Sequence, residues 1–181
     1  MGRLVASLFG VMVAAMSASA ADDAGHRWPD LTDFLSRLIA EVGPPVKVYR
    51  LEIDRDGEVE LWIQARARPD QVDRYTYDEG TLGGPTPVKF REYPSVEALD
   101  QHVIELTTID FTRLPAMLAS ARARLGLADA SVVTIRLERG DSSGALTWSG
   151  IPIWTFTLET PRHGGRVEFN LAGGMLDVDK D

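Results

Sequence analysis

Two glutamates, Glu52 and Glu60, are the residues whose type and spacing come nearest to chemistry in this 181-residue chain. They lie in "RLEIDRDGEVELWIQ", Arg50 to Gln64, where apolar and polar residues alternate on both sides of Asp56-Gly57. Such alternation predicts a hairpin. A three-residue loop, Arg55-Asp56-Gly57, with Gly57 left-handed, sets Ile53 opposite Val59. Glu52 then faces Glu60, and Arg50 faces Trp62. Paired carboxylates on neighbouring strands are a glycosidase arrangement when a cleft and sugar-stacking aromatics surround them. Here the remaining outward residues are Arg50, Trp62, Gln64, Arg74 and Thr76, a set better suited to contact than to hydrolysis. A tryptophan among charges marks recognition surfaces. It is also, and more commonly, the pattern of a solvated antiparallel face on which Arg50 stacks over Trp62. A second stretch repeats part of this face with Arg136, Glu138, Thr155, Thr157, Arg166 and Glu168.

Other constellations are weaker. Histidines 26, 102 and 163 fall in a leader, a helical linker and a turn, where His26 is expected in solvent. No HExxH or Cys/His cluster joins them, so no metal is expected. No G-x-S-x-G surrounds a serine, and Ser142-Ser143 belongs to a glycine-flanked hairpin, "GDSSG". "EGTLGGP" precedes a strand, so it reads as a turn and not a phosphate loop. "DRDG" at Asp54 opens like a calcium loop but has Ala65 where the bidentate glutamate belongs. No cofactor follows from these residues, and no catalytic residue is expected.

The elements that must hold these side chains can be read in order. "MGRLVASLFGVMVAAMSASA" has the cation Arg3, an apolar run too short to span a bilayer, and small residues for cleavage at Ala18, Ala20 and Ala21. Residues 1–20 are therefore expected to be a signal peptide. No cysteine follows, so lipid attachment to one is not expected, and no membrane span is expected after cleavage. Without Arg3 the chain has 18 basic and 27 acidic residues, a poor match for nucleic acid. With no cysteine, stability must come from the core.

Residues 21–29 read as a mobile leader. A helix follows with Asp30 as N-cap and an apolar stripe at Leu31, Phe34, Leu35, Leu38, Ile39 and Val42, stopped by Gly43 and Pro44-Pro45. Four strands are then expected, with Tyr49, Leu51, Ile53, Val59, Leu61, Ile63, Tyr75 and Tyr77 inward and the fourth near 88–90. Residues 94–111 read as a linker with a short helix. A second helix is expected from about Thr112, with Pro115 in its first turn, and with Leu114, Met117, Leu118, Ala121 and Leu125 buried. Four more strands end the chain, through Phe156 and Phe169, before an acidic solvated end.

Helix and four strands thus occur twice, over residues 30–93 and 112–181. "YRLE" (Tyr49 to Glu52) corresponds to "IRLE" (Ile135 to Glu138), and "RYTYD" to "RVEFN". The pattern predicts duplication of a unit unable to bury its apolar face alone. The expected fold is α+β: an antiparallel sheet of about eight strands with helices on one face.

On these residues, notably "RYTYDEGTL" and "RVEFNLAGGML", each unit resembles the PepSY-like units of exported bacterial proteins. The tandem is similar in layout to the β-lactamase-inhibitor-protein fold. The resemblance implies a periplasmic or secreted, non-enzymatic module that binds or restrains a protein of the cell envelope. It transfers no functional residue. The expected contact surface is the polar sheet face, Arg50, Glu52, Glu60, Trp62, Gln64, Arg74, Arg136 and Glu138, together with Trp148 of the later hairpin. A carrier of a small or lipidic ligand, and a hydrolase, are the alternatives.

Overall fold

A computed structural model of the chain describes residues 26–89, 96–140 and 150–181. Helix α1 spans Leu31–Val42, with Asp30 accepting hydrogen bonds from the amides of Thr32 (3.1 Å) and Asp33 (3.0 Å). Strands β1 (Lys47–Asp54), β2 (Val59–Gln64), β3 (Val72–Asp78) and β4 (Thr81–Val88) follow. A short helix α2 (Val96–Asp100) and a two-residue strand β5 (Ile104–Glu105) lead to helix α3 (Leu114–Leu125). The last four strands are β6 (Ser131–Arg139), β7 (Pro152–Glu159), β8 (Gly164–Asn170) and β9 (Met175–Lys180).

All the strands form one antiparallel sheet in the order β4-β3-β2-β1-β6-β7-β8-β9, with β5 beside β1. Each run of four strands is a meander, and the runs meet at β1 and β6. There Arg50 stands opposite Glu138, Leu51 opposite Leu137 and Glu52 opposite Arg136. The tripeptide Arg-Leu-Glu therefore pairs antiparallel with its own repeat, and a local two-fold axis passes between the two leucines.

One face of the sheet carries the core. Phe34 and Leu38 of α1 and Leu114, Met117, Leu118, Ala121 and Leu125 of α3 belong to one buried cluster with strand residues such as Leu51, Ile53, Leu61, Ile135, Phe156 and Phe169. Pro115 occupies the first turn of α3, where its missing N–H costs nothing. A 3₁₀ turn, Phe111–Arg113, precedes that helix, which begins two residues later than the sequence predicts.

The β1–β2 register agrees with the expectation: Ile53 faces Val59, Glu52 faces Glu60 and Arg50 faces Trp62. The Asp54 carboxylate accepts from the amides of Asp56 and Glu58, both at 2.9 Å, and Gly57 has φ +85°. The "DRDG" stretch is thus a hairpin corner closed by its own aspartate.

Three expectations change. Tyr49 does not join Leu51 and Ile53, because a bulge between Val48 and Arg50 interrupts the alternation. Val48 enters the core, while Tyr49 packs on the opposite face with Trp62, Val72, Leu99 and Val103. "LGGP" is not a turn: Leu82, Gly83, Gly84 and Pro85 run inside β4, and the turn is Glu79-Gly80. The fourth strand accordingly starts at Thr81, well before residue 88.

His26, expected in solvent, is 1% exposed and lies edge-on to Trp28, ring centroids 4.5 Å apart. The segment after it crosses the β1–β2 corner, where the Arg27 amide donates to the Arg55 carbonyl at 3.4 Å. A Cβ on Gly57 would lie 2.4 Å from the Arg27 carbonyl oxygen, so glycine permits the approach.

Candidate binding face

The second face of the sheet carries the polar side chains, and its geometry grows from the β1–β6 pairing. On one face of an antiparallel pair, directly opposed side chains meet. Arg50 therefore reaches Glu138, Nε to Oε2 at 2.9 Å, and Arg136 reaches Glu52, Nε to Oε1 at 2.7 Å. Contacts along each strand close the set, Arg50–Glu52 at 4.0 Å on β1 and Arg136–Glu138 at 3.7 Å on β6. Four half-buried charges thus form a ring about the local two-fold axis. Burial alone would lower the Arg50 basicity; the hydrogen-bonded Glu138 and nearby Glu52 outweigh it and hold the guanidinium charged.

The facing glutamates of β1 and β2 are relieved from opposite sides. Glu52 takes Arg136, and Glu60 takes Arg74 at 2.9 Å. The Arg50 guanidinium carbon lies 5.5 Å from the Trp62 ring centre and 5.8 Å from that of Tyr49, both cation–π distances. Trp62 is no isolated aromatic: it and Tyr49 pack against Val72, Leu99 and Val103, so α2 lies over this corner. Gln64 is buried, donating to the Pro69 carbonyl (2.8 Å) and to Asp100 (3.0 Å), and Lys47 adds a second contact to Asp100 at 2.9 Å. Gln64 therefore anchors α2 and is not available for contact.

The face thus unites Arg50, Glu52, Glu60, Trp62, Arg74, Arg136 and Glu138 on four adjacent strands. Trp148 and the cleavage residues Ala18, Ala20 and Ala21 lie outside the described residues.

Farther along, the charges are less well matched. Glu168 on β8 is 5% exposed, with Arg166 Nε 3.7 Å from its Oε1 and, among the described residues, no hydrogen-bond partner for Oε2. Burial pushes this carboxyl up; Arg166 opposes the shift, and Asp177 and Glu138 add to it. The alternation placed Glu168 outward but gave no sign of its burial, which depends on packing across strands.

A second polar group, missed in the sequence, sits at the rim. Tyr77 donates its phenol O–H to Asp33 Oδ2 at 2.7 Å, and Arg37 Nε contacts the same oxygen at 2.6 Å. Asp33 stands on α1 four residues before Arg37 and beside β3, so one carboxylate ties helix to sheet. An open cleft of about 290 Å³ adjoins it, lined in part by Trp28, Asp30, Asp33 and Tyr77. Asp33 and Arg37 lie one helical turn apart, and only the fold brings Tyr77 to them.

The nine-stranded antiparallel sheet with its helices defines an α+β protein. Its fold is similar to the crystal structure of a "putative lipoprotein" from Clostridium difficile 630. The TM-score is 0.56 at 9% identity, over 83% of this chain and 92% of that one. No family model matches the chain. No curated protein matches it either. Among the described residues no helix is long and apolar enough to cross a membrane.

Proposed function

We propose that the protein is an exported, non-enzymatic binding module of the bacterial envelope, built from two PepSY-like units that share one sheet. It engages a protein partner through the polar face centred on β1 and β6. One observation carries this reading: the closed ring of Arg50, Glu138, Arg136 and Glu52. Long charged side chains ordinarily lose rotamer freedom on binding, about 0.5–1.5 kcal/mol each. The ring already holds these four in place, so a complementary surface meets a preset charge pattern. Charge complementarity of this kind selects partners and speeds encounter.

The self-pairing of the Arg-Leu-Glu repeat supports duplication, since matching residues of the two halves meet on the local axis. The fold likeness to a protein named as a lipoprotein supports an envelope location. That likeness concerns fold alone, and this chain has no cysteine to carry a lipid. A ligand carrier would need space between helices and sheet, where Trp154, Phe156 and Phe169 are fully buried.

Crosslinked affinity capture from the native envelope tests the reading. Wild-type protein should retain a defined partner that the charge-reversal pair Arg74→Glu and Arg166→Glu, both exposed, loses. Identical capture by both proteins would remove the face from consideration.

A further inference from the structure

We infer that the free edge of β9 accepts an extended segment of a protein partner, added as a further strand in which basic and apolar residues alternate. This rests on the reading of the protein as a protein-binding module.

An open sheet has two edges, and here they differ. At one end β4 carries Pro85 and Pro87, which have no N–H to give to a neighbouring strand. At the other end β9 reads "MLDVDK", without proline, so each residue keeps its backbone donor and acceptor. Among the described residues β9 is last in the strand order and pairs on one side only, with β8.

The side chains of β9 specify what kind of strand fits. Asp177 stands opposite Glu168 and Asp179 opposite Arg166, on the polar face. Arg166 reaches toward Glu168, and among the described residues neither the Asp177 nor the Asp179 carboxylate has a hydrogen-bond or ion-pair partner. Both carboxylates are open to cations from a neighbouring strand. On the core face Val178 stands opposite Val167 and, beyond a bulge at Leu176, Met175 stands opposite Phe169. Met175 is 38% exposed beside a fully buried phenylalanine, so the core ends at this edge with apolar surface uncovered. An added strand with lysine or arginine on one side and valine-like residues on the other satisfies both faces. It would also give Glu168 a nearby cation.

A second copy of this chain fits poorly. Antiparallel β9 pairing centred on Val178 would set Asp177 opposite Asp179 twice, and opposed like charges are destabilising. The same carboxylates that repel a copy attract a basic strand.

The test uses the full chain and two short peptides of equal charge: one alternating lysine and valine, the other the same but interrupted by prolines. Hydrogen exchange should show β9 amides protected by the first peptide only, with β4 amides unchanged. Asp177→Lys with Asp179→Lys should weaken binding about tenfold or more. The milder Asp177→Asn with Asp179→Asn pair should weaken it less, which guards against a folding defect. Equal binding of both peptides, protection centred on β1 and β6, or concentration-dependent self-association through β9 would overturn the inference. If envelope capture gives a partner that the lysine variant holds as well as wild type does, the edge inference fails while the binding-module reading stands. If neither protein captures a defined partner, it is the binding-module reading that fails.

Discussion

Leu51 faces Leu137 at the centre of the sheet, each the middle residue of an Arg-Leu-Glu tripeptide running opposite to the other. Both leucines are fully buried, while the arginine and glutamate on either side of each emerge on the far face and close a ring of ion pairs. A tripeptide with cation first and anion last is self-complementary when reversed, so one short sequence, used twice, joins the two halves.

Because the ring charges are only half-buried, their coupling should be modest. A double-mutant cycle on Arg50→Ala and Glu138→Ala, read by urea unfolding, is expected to return about 0.5–1 kcal/mol. The Arg50 single variant should cost more than the Glu138 one, since it also removes the contact with Trp62. A coupling of zero would mean that the ring is ornament to the β1–β6 pairing.

Glu168 should make stability depend on pH. Its folded carboxyl titrates above the usual glutamate value of 4.5, so the unfolded chain gives up this proton first. The folded state is then disfavoured progressively as pH rises above 4.5. Glu168→Gln is expected to unfold at higher denaturant than wild type at neutral pH, and to lose that advantage below 4.5. An advantage that persists in acid would show that the gain is steric.

Tyr77 offers the opposite end of the scale. Burial and the Asp33 carboxylate push its phenol up to about 12 from 10. The folded state keeps this proton longer than the unfolded one, so stability from this group is complete below 10 and declines toward 12. Asp33, held low by Arg37 and then Tyr77, contributes stability present above 3.8 and lost in stronger acid. Asp33→Asn should bring the Tyr77 midpoint down, as followed by NMR of labelled tyrosine. An unmoved midpoint would assign the shift to burial alone.

Gly57→Ala should destabilise the fold by roughly 1 kcal/mol or more, through strain at φ +85° and collision with the Arg27 carbonyl. Its specific signature would be faster hydrogen exchange at Arg27, whose amide bonds to Arg55 across that corner. Unchanged exchange there would mean that the crossing segment is held elsewhere, for example by the packing of His26 and Trp28.

The parts of the fold legible in sequence are those fixed within a short stretch. The Asp30 cap, the α1 and α3 stripes and the Ile53–Val59 register all depend on neighbours along the chain, and all are found. The pairing of Glu52 with Arg136 is a contact between positions 84 residues apart, invisible to local period. Tyr49 was misplaced because a bulge adds one residue to a strand without altering its composition, and everything before it changes face. Glycines in β4 looked like a turn because glycine marks turns and irregular strands alike. Of the expected contact residues, Gln64 keeps its place on the polar face but is covered there by α2, which no alternation could show.

The position of β1 has a consequence for the way the chain comes together. Its second neighbour, β6, begins more than seventy residues after β1 ends. During synthesis, the Arg50–Asp54 part of β1 therefore waits with one side bare until the later half arrives, since β5 covers only Lys47 and Val48, and this long-range docking should be the slow step of assembly. A chain cut short after α3 would present that bare strand to other chains. Clumping of such fragments, set against the solubility of the whole, would be the outward sign that the seam in the middle is what keeps each half from sticking to its own kind.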